Sequence, residues 1–207
     1  MSAEPFVPAT RSVKKLREAA AECRGCHLHV PATQTVFGEG PSRAPLMMVG
    51  EMPGDREDVA GHVFVGPAGR ELDTALERVG IERSDTYVTN VVKHFKFRER
   101  GKRRIHDTPK KSEVDACLPW LSAELDIVKP RVLVFLGATA AKALLGSSFR
   151  LTQSRGQPLD SDLAPFVTAT IHPAAILRQR DSASREAERE ALARDLAVAA
   201  QALKAAM

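Results

Sequence analysis

Leu46-Met47-Met48-Val49 is followed directly by Gly50-Glu51-Met52-Pro53-Gly54, so a short apolar run ends in a turn that carries a carboxylate. The run is apolar at every position and does not alternate with polar residues. This pattern is typical of a strand buried on both faces of a parallel sheet. Three more runs of the same kind follow, at residues 87–92, 132–136 and 167–171.

Helical patterns separate these apolar runs. We expect helices at residues 10–22, 69–79, 112–128, 139–145 and 184–206. Strands that alternate with helices indicate a parallel sheet covered on both faces. The sequence therefore predicts an α/β protein, a three-layer α/β/α fold with a central, mainly parallel four-stranded sheet. Residues 1–207 are expected to form one domain, since domains typically run to about 100–200 residues.

The composition is that of a globular protein with a local excess of positive charge. Hydrophobic residues make up 43% of the chain and the formal net charge is +4. Residues 93–111 contain nine Lys and Arg against two acidic residues. Such a stretch is either a solvated loop or a surface for a polyanion. No membrane span or signal peptide is evident, and three cysteines cannot pair completely, so we expect a cytoplasmic protein without membrane contact.

Polar side chains lie near or just after the ends of three of the apolar runs. They are Glu51, Asn90 and His172, and Gly137 opens a helix after the remaining run. In an open parallel sheet, ligands bind beyond the carboxyl ends of the strands. A structural role is the better interpretation of His172 alone. Together with Glu51 and Asn90, it predicts a functional crevice.

Three cysteines suggest a metal site. Cys23 and Cys26 form a Cys-x-x-Cys pair, and Cys117 lies far along the chain. A local pair of thiolates with distant partners is a common way to bind zinc or an iron–sulfur cluster. The candidate fourth ligands are His27, His29 and His94. His94 is favoured because it follows a strand and precedes the helix of Cys117. A redox Cys-x-x-Cys pair and three unrelated buried thiols are the alternatives.

Several of these segments resemble the motifs of family 4 uracil-DNA glycosylases. Residues 50–58 with 64–69 resemble the first motif, residues 89–94 the second, and residues 136–141 and 172–178 the later ones. The resemblance extends over most of the chain and implies a uracil-DNA glycosylase-like fold. It also implies a [4Fe-4S] cluster held by Cys23, Cys26, His94 and Cys117. His94 stands where members of the family usually have cysteine.

The resemblance implies that uracil-containing DNA is the partner, with single-stranded DNA favoured, and that the protein is a nucleoid-associated monomer. The target nucleotide must rotate out of the DNA into a pocket. We expect Phe64 to stack on uracil, Asn90 to read its edge, His172 to bind a carbonyl of the leaving base and Glu51 to stabilise the sugar cation. The remaining expected contacts are Gly50, Met52, Gly54 and Asp55 to substrate and Arg178 to DNA.

Residues 101–106 resemble the extra basic loop of the UdgX group in the same superfamily. This resemblance implies that His106 attacks the deoxyribose C1′ after uracil has left, which gives a covalent protein–DNA adduct. Lys102, Arg103 and Arg104 are then expected to bind DNA phosphates. Met52 departs from the glutamine of that group. The alternative is a conventional family 4-type glycosylase that turns over and releases uracil and an abasic site.

Overall fold

The apolar runs form one parallel sheet in the computed structural model, which describes residues 1–205. The strands are β1 (Leu46–Gly50), β2 (Thr86–Asn90), β3 (Phe97–Arg100), β4 (Arg103–His106), β5 (Val132–Leu136) and β6 (Phe166–Thr170). The central sheet has the order β2-β1-β5-β6, and every neighbouring pair in it is parallel. β3 and β4 form a separate antiparallel hairpin. All four carboxyl ends of the central strands therefore lie along one edge.

Helices cover both faces of this sheet. They are α1 (Val13–Ala20), α2 (Asp55–Ala60), α3 (Pro67–Arg78), α4 (Lys111–Val128), α5 (Ala138–Leu145), α6 (Leu151–Ser154), α7 (Ala174–Leu177) and α8 (Ser182–Ala205). α1, α4 and α5 pack together on one side, whereas α3, α7 and α8 pack together on the other. Within residues 1–205, no helix is long and apolar enough to cross a membrane.

The central strands bury alternate side chains in two separate cores. Met47 and Val49 of β1 belong to the core that contains Trp120 of α4, and all three are completely buried. Leu46 and Met48 point into the opposite core, which contains Leu196 of α8. Because successive residues of a strand face opposite sides, a sheet covered on both faces needs apolar residues at every position. This explains the continuous apolar runs.

The three-layer α/β/α prediction is confirmed, with small differences at the ends of elements. The strand expected at residues 87–92 ends at Asn90. Beyond it, the N–H groups of Val91 and Val92 donate to the carbonyls of Gly50 and Glu51, at 2.9 and 3.0 Å, so the chain crosses the end of β1. The predicted end of the last helix, at residue 206, lies outside the described residues.

The β3–β4 hairpin was not predicted, since residues 101–106 were interpreted as a loop. Two residues, Gly101 and Lys102, connect the strands, and Gly101 has a positive φ of 61°. A two-residue connection that contains glycine is a signal of a hairpin. Most residues on either side of this connection are charged, so the alternation of apolar and polar residues that normally indicates a strand is absent there. The hairpin places His106, the last residue of β4, beside the carboxyl edge of the central sheet.

Candidate active site

A cavity of about 660 Å³ opens at the carboxyl edge of the sheet. Its lining includes Glu51 after β1, Asn90 at the end of β2, Gly137 after β5 and His172 after β6. The predicted meeting of strand ends in one crevice is therefore confirmed. Residues from the hairpin and from the loop before α3 complete the lining, namely His106 and Phe64. The cavity combines apolar walls with a few polar groups, as small-molecule sites usually do.

Asn90 lines this cavity and carries an unpaired, buried hydrogen-bond acceptor. The residue is only 2% exposed, and its Oδ1 has no hydrogen-bond partner among residues 1–205. Buried polar atoms are nearly always paired, because desolvation without a partner costs about 1–3 kcal/mol. A ligand N–H group that enters the cavity would satisfy this atom. The amide thus has the chemistry needed to recognise a polar ring edge.

Gly50 provides the space in which Asn90 lies. It pairs with Asn90 in the register of β1 and β2. A Cβ at position 50 would lie 2.4 Å from Oδ1 of Asn90 and 2.7 Å from Cζ of Phe64. Both separations are far below normal contact, so a side chain here would displace the amide or the ring. Gly50 does not line the cavity itself, but it keeps two of the lining residues in place.

Phe64 adopts an unusual backbone conformation beside the cavity. Its φ is 54°, a left-handed value that costs a non-glycine residue about 1–3 kcal/mol. The turn is close to Gly69, where an added Cβ would lie 1.6 Å from the carbonyl oxygen of Phe64. The Phe64 ring stacks against the ring of His172, with centroids 5.8 Å apart and planes at 30°. The strained turn therefore presents a flat aromatic wall to the cavity.

His172 is held as a neutral imidazole. Its Nδ1 accepts a hydrogen bond from the N–H of Ala174 at 3.2 Å, which leaves the ring proton on Nε2. Burial lowers the pKa of His172 to about 4, and Arg178 and His106 act in the same direction against the opposing effect of Glu51. A neutral donor is thus available over the physiological pH range. It can stabilise negative charge that develops on a ligand carbonyl.

Glu51 is a carboxylate that contacts the hairpin. Its Oε1 lies 3.4 Å from Nε2 of His106, and its side chain is 19% exposed. Burial raises the pKa of Glu51, but hydrogen bonds from His106 and Thr139 and the nearby imidazoles outweigh burial, so the pKa lies below its usual value. Glu51 is therefore ionised at neutral pH and places a negative charge at the cavity.

Arg104 anchors the hairpin that carries His106. Its Nε donates to Asp55 Oδ1 and its Nη1 to Asp58 Oδ2, both at 2.6 Å, so β4 is tied to α2. The guanidinium also lies over the rings of Phe95 and Phe97, with centroid distances of 5.4 and 5.0 Å. The DNA contact expected of Arg104 stays a prediction, and so does the substrate contact expected of Asp55. Asp55 is not among the cavity-lining residues in the described part of the chain.

The cationic stretch at residues 93–111 is only partly a surface. Lys93 is 1% exposed and ion-paired with Glu124, so its inclusion in a phosphate-binding surface was wrong. Lys96 pairs with the buried Glu113 at 3.1 Å. The hairpin keeps a set of exposed cations, which are Arg98, Arg100, Lys102 and Arg103. Arg178, also exposed, lies at the rim of the cavity. The DNA-binding roles of Lys102, Arg103 and Arg178 stay predictions.

Two further residues line the cavity, Glu57, which is not among the site residues expected from the sequence, and Met52, which is an expected substrate contact. Glu57, which is buried, accepts hydrogen bonds from the N–H groups of Gly54 at 3.2 Å and Gly66 at 2.7 Å, and so joins the two loops on either side of α2. A Glu three residues after a helix cap is the sequence signal of this contact, here Glu57 after Gly54. Met52, which is 5% exposed, lines the cavity and packs into the core.

The three cysteines are all buried free thiols. Sγ of Cys23 accepts hydrogen bonds from the indole N–H of Trp120 at 3.2 Å and from the N–H of Gly25 at 3.5 Å. Sγ of Cys117 accepts from the N–H of Lys93 at 3.3 Å. Burial raises the pKa of Cys117 to about 12, and Cys26 and Cys23 add to the effect. Within residues 1–205, however, no group of three or more potential ligands is arranged to hold a metal ion.

The histidines near the cysteines differ in what they bind. Nε2 of His27 lies 3.2 Å from Glu113, and Nδ1 of His29 lies 2.6 Å from the carbonyl of Cys26. Nε2 of His94 lies 3.0 Å from Oγ1 of Thr35, whose hydroxyl donates to the carbonyl of Ala20. Nε2 of His94 must therefore carry the proton, and Nδ1 keeps its lone pair. Burial lowers the pKa of His94 to about 4, so the ring is neutral.

Comparison with known proteins identifies a family to which this chain is similar. The model of the uracil DNA glycosylase superfamily matches residues 37–197. The type-4 uracil-DNA glycosylase of Pyrobaculum aerophilum is 40% identical over 174 residues, which cover 81% of this chain and 85% of that protein. The type-4 enzyme of Thermotoga maritima is 39% identical over 169 residues, with coverage of 81% and 84%. That of Sulfurisphaera tokodaii is 35% identical, with coverage of 80% and 76%.

The position of Arg104 leads to a prediction about the hairpin. Replacing Arg104 with Met removes the charged partner of the buried Asp58 carboxylate, which keeps a hydrogen bond from the N–H of Thr33, and should lower the free energy of unfolding by about 1–3 kcal/mol. Amide hydrogen exchange in residues 97–106 should accelerate more than exchange in α8, because the hairpin loses its local anchor. Arg103→Met, which removes an exposed neighbour, is the matched control and should alter neither quantity. Unchanged exchange in the hairpin of Arg104→Met would show that this residue is not its anchor.

Proposed function

Because this chain belongs to the uracil-DNA glycosylase superfamily, we propose that it excises uracil from DNA in the cavity around Asn90. The observation that carries the proposal is the unpartnered Oδ1 of Asn90, buried at the carboxyl edge of the sheet. In uracil, the ring N3–H is a donor and the neighbouring O4 is an acceptor. One carboxamide matches both groups, since its oxygen accepts and its NH₂ donates.

The same carboxamide discriminates against cytosine. Cytosine has an unprotonated N3 and an amino group at C4, so each of its edge groups would meet the wrong half of the Asn90 amide. A buried polar group left unpaired in this way gives strong discrimination. Stacking on Phe64 would add affinity for a flat base without distinguishing one base from another. The base must first leave the DNA stack, which is the usual route for enzymes of this kind.

Cleavage of the glycosidic bond separates two opposite charges. Uracil leaves with the electrons of the N1–C1′ bond, and the Nε2–H of neutral His172 is suited to stabilise its O2. The deoxyribose becomes cationic, and the ionised Glu51 is suited to stabilise it or to orient a water molecule. Preorganised groups of this type are usually the largest source of rate enhancement. The products are then free uracil and an abasic site.

The end of the reaction has two candidate forms. The relatives are named as type-4 uracil-DNA glycosylases, and an ordinary turnover reaction fits those names better than self-trapping. A second candidate rests on the 3.4 Å separation between His106 and Glu51 at the cavity. In that candidate, a lone pair of the neutral imidazole forms a bond to C1′ after uracil has left. The other ring N–H then loses its proton to Glu51, and the adduct is neutral.

We also propose that Cys23, Cys26, Cys117 and His94 hold a [4Fe-4S] cluster. Backbone and indole N–H donors already point to Cys23 and Cys117, as expected around cluster thiolates. Thr35 orients His94 so that Nδ1 keeps a lone pair, and His94 is buried like the three cysteines, whereas His27 is exposed. Partners that orient a ligand ring in this way are typical of metal sites. When bound, the cluster supplies structural bracing of the surrounding loops.

The proposal predicts uracil release that depends on Asn90. The wild-type protein should release uracil from a uracil-containing oligonucleotide and should leave the matching cytosine oligonucleotide intact. Asn90→Ala should lower the single-turnover excision rate about 10²- to 10³-fold, because the departing base loses its hydrogen-bond partner. Gln201→Ala, a change at an exposed position of α8, should keep the wild-type rate. Uracil release by Asn90→Ala at the wild-type rate would rule out the proposed role of Asn90.

A denaturing gel separates the two forms of the reaction. Under turnover, the wild-type protein should yield abasic product in molar excess over protein, and no heat-stable shifted band should form. A stoichiometric shifted band that disappears in His106→Ser would instead establish capture by His106. His62→Ser, which removes a surface histidine paired with Glu39, is the matched control and should behave as wild type in either case. The same gel with single-stranded and duplex oligonucleotides tests the expected preference for single strands.

The proposed cluster predicts the metal content of the protein purified without oxygen. Elemental analysis should find about four irons per chain and little zinc, together with the visible absorbance of an iron–sulfur chromophore. Cys117→Ala and His94→Ala should each lose most of the iron, because each removes one ligand. His27→Ala should keep the iron. A protein that contains about one zinc per chain would contradict the cluster and leave the ligand set to be reassigned.

A further inference from the structure

A completely buried ion pair lies directly beneath Asn90. Nζ of Lys93 is 2.5 Å from Oε2 of Glu124, and the two side chains are 1% and 0% exposed. Lys93 follows β2 by three residues, and Glu124 belongs to α4. Burying two charges carries a large desolvation cost, and well-packed apolar residues often stabilise a core as well or better. Stability alone is therefore a poor explanation for the presence of this pair.

Lys93 connects its charge to the backbone of Asn90. Its Nζ donates to the carbonyl oxygen of Asn90 and to Oγ1 of Thr89, each at 2.7 Å. All three of its N–H groups thus have an acceptor, including Glu124. The ring of Phe37 lies 5.0 Å from Nζ and closes the remaining side. Lys93 is accordingly fixed in one conformation, and it fixes the Asn90 peptide with it.

Glu124 is held just as firmly. Its Oε1 accepts hydrogen bonds from the hydroxyl of Tyr87 at 2.8 Å, the hydroxyl of Thr89 at 2.9 Å and the N–H of Gly38 at 3.2 Å. A Cβ at Gly38 would lie 2.3 Å from Oε1, so the approach requires a glycine. The carboxylate therefore ties β2 and α4 together. A network with every member satisfied is rigid, because each bond is strong at low dielectric.

The position of the Asn90 side chain depends on this backbone. In the part of the chain that the structure describes, Oδ1 of Asn90 has no hydrogen-bond partner that could hold it before a ligand arrives. The amide is kept at the cavity by its own backbone and by the space left at Gly50. The next peptide is also fixed, since the N–H of Val91 donates to the carbonyl of Gly50 at 2.9 Å. The backbone of Asn90 is thus fixed from the side of the ion pair and from the side of β1.

We propose that Lys93 and Glu124 are positioning residues for uracil recognition. The pair holds the Asn90 carbonyl so that the unpartnered amide meets the base with little reorganisation. The inference rests on the proposed function of Asn90, and it adds two residues that touch neither base nor sugar. Placement errors of about 1 Å at a reacting group can cost about 10²-fold in rate. Loss of the pair should therefore weaken base recognition even where the fold survives.

Replacing both charges at once separates positioning from stability. Lys93→Met and Glu124→Leu singly each leave one buried charge unpaired and should lower the midpoint of urea unfolding. The double variant removes both charges and should recover part of that stability, because the hydroxyls of Tyr87 and Thr89 still lose the acceptor that Glu124 provides. Its kcat/KM on a uracil oligonucleotide should nevertheless stay about 10- to 100-fold below wild type. Inhibition by free uracil should weaken by a similar factor, because the product occupies the same pocket.

An ion pair outside the cavity supplies the matched control. Arg189 of α8 donates to both carboxylate oxygens of Glu71 in α3 at 2.8 Å. Arg189→Met with Glu71→Leu should leave kcat/KM and uracil inhibition at wild-type values. Wild-type values of both quantities in the double variant of Lys93 and Glu124 would overturn the inference. A wild-type protein that releases no uracil would instead overturn the proposed function, so the two failures are distinct.

A milder variant covers the case in which the double variant does not fold. Thr89→Val keeps the side-chain shape and removes the hydroxyl that both Lys93 and Glu124 contact. We expect kcat/KM to fall and inhibition by free uracil to weaken together in this variant. Both are measured at urea concentrations well below its unfolding midpoint. A loss of stability with both quantities unchanged would show that the network is only structural.

Discussion

The close approach of three residues at the end of β1 is the constraint on which the candidate site depends. Gly50 leaves room for Oδ1 of Asn90 on one side and for the ring of Phe64 on the other, with an added Cβ only 2.4 and 2.7 Å from them. The polar group suited to read a base and the flat wall suited to stack on it therefore share one small space. The left-handed turn at Phe64 is the strain that this arrangement carries.

The rest of the protein surrounds that space with rigid supports. The hairpin is fixed to α2 through Arg104, which brings His106 to Glu51. On the other side, the buried pair of Lys93 and Glu124 fixes the peptide that carries the Asn90 amide. Functional groups held by packed and hydrogen-bonded neighbours are placed more accurately than groups on free loops. The buried charges of Lys93 and Glu124 thus lie next to the peptide whose side chain must be placed accurately.

Much of this architecture could be predicted from the sequence because it follows from periodicity. Continuous apolar runs such as residues 132–136 identify buried parallel strands, and parallel strands bring their carboxyl ends to one edge. The meeting of Glu51, Asn90 and His172 followed from that rule alone. The buried position of Lys93 could not be predicted, because a lysine in a basic stretch looks like a surface residue until its distant partner Glu124 is known. The contacts of Arg104 with Asp55 and Asp58 could not be predicted either, because these partners are also distant from Arg104 in the sequence.

The central claim, that Asn90 reads the edge of uracil, is tested most directly by a crystal structure of the protein with free uracil bound. The account predicts that Oδ1 of Asn90 lies within about 2.7–3.2 Å of N3, and that the amide nitrogen lies at a similar distance from O4. The ring of uracil should lie against Phe64, with O2 towards His172. Uracil bound elsewhere, or in this cavity with Oδ1 of Asn90 still unpartnered, would contradict the account.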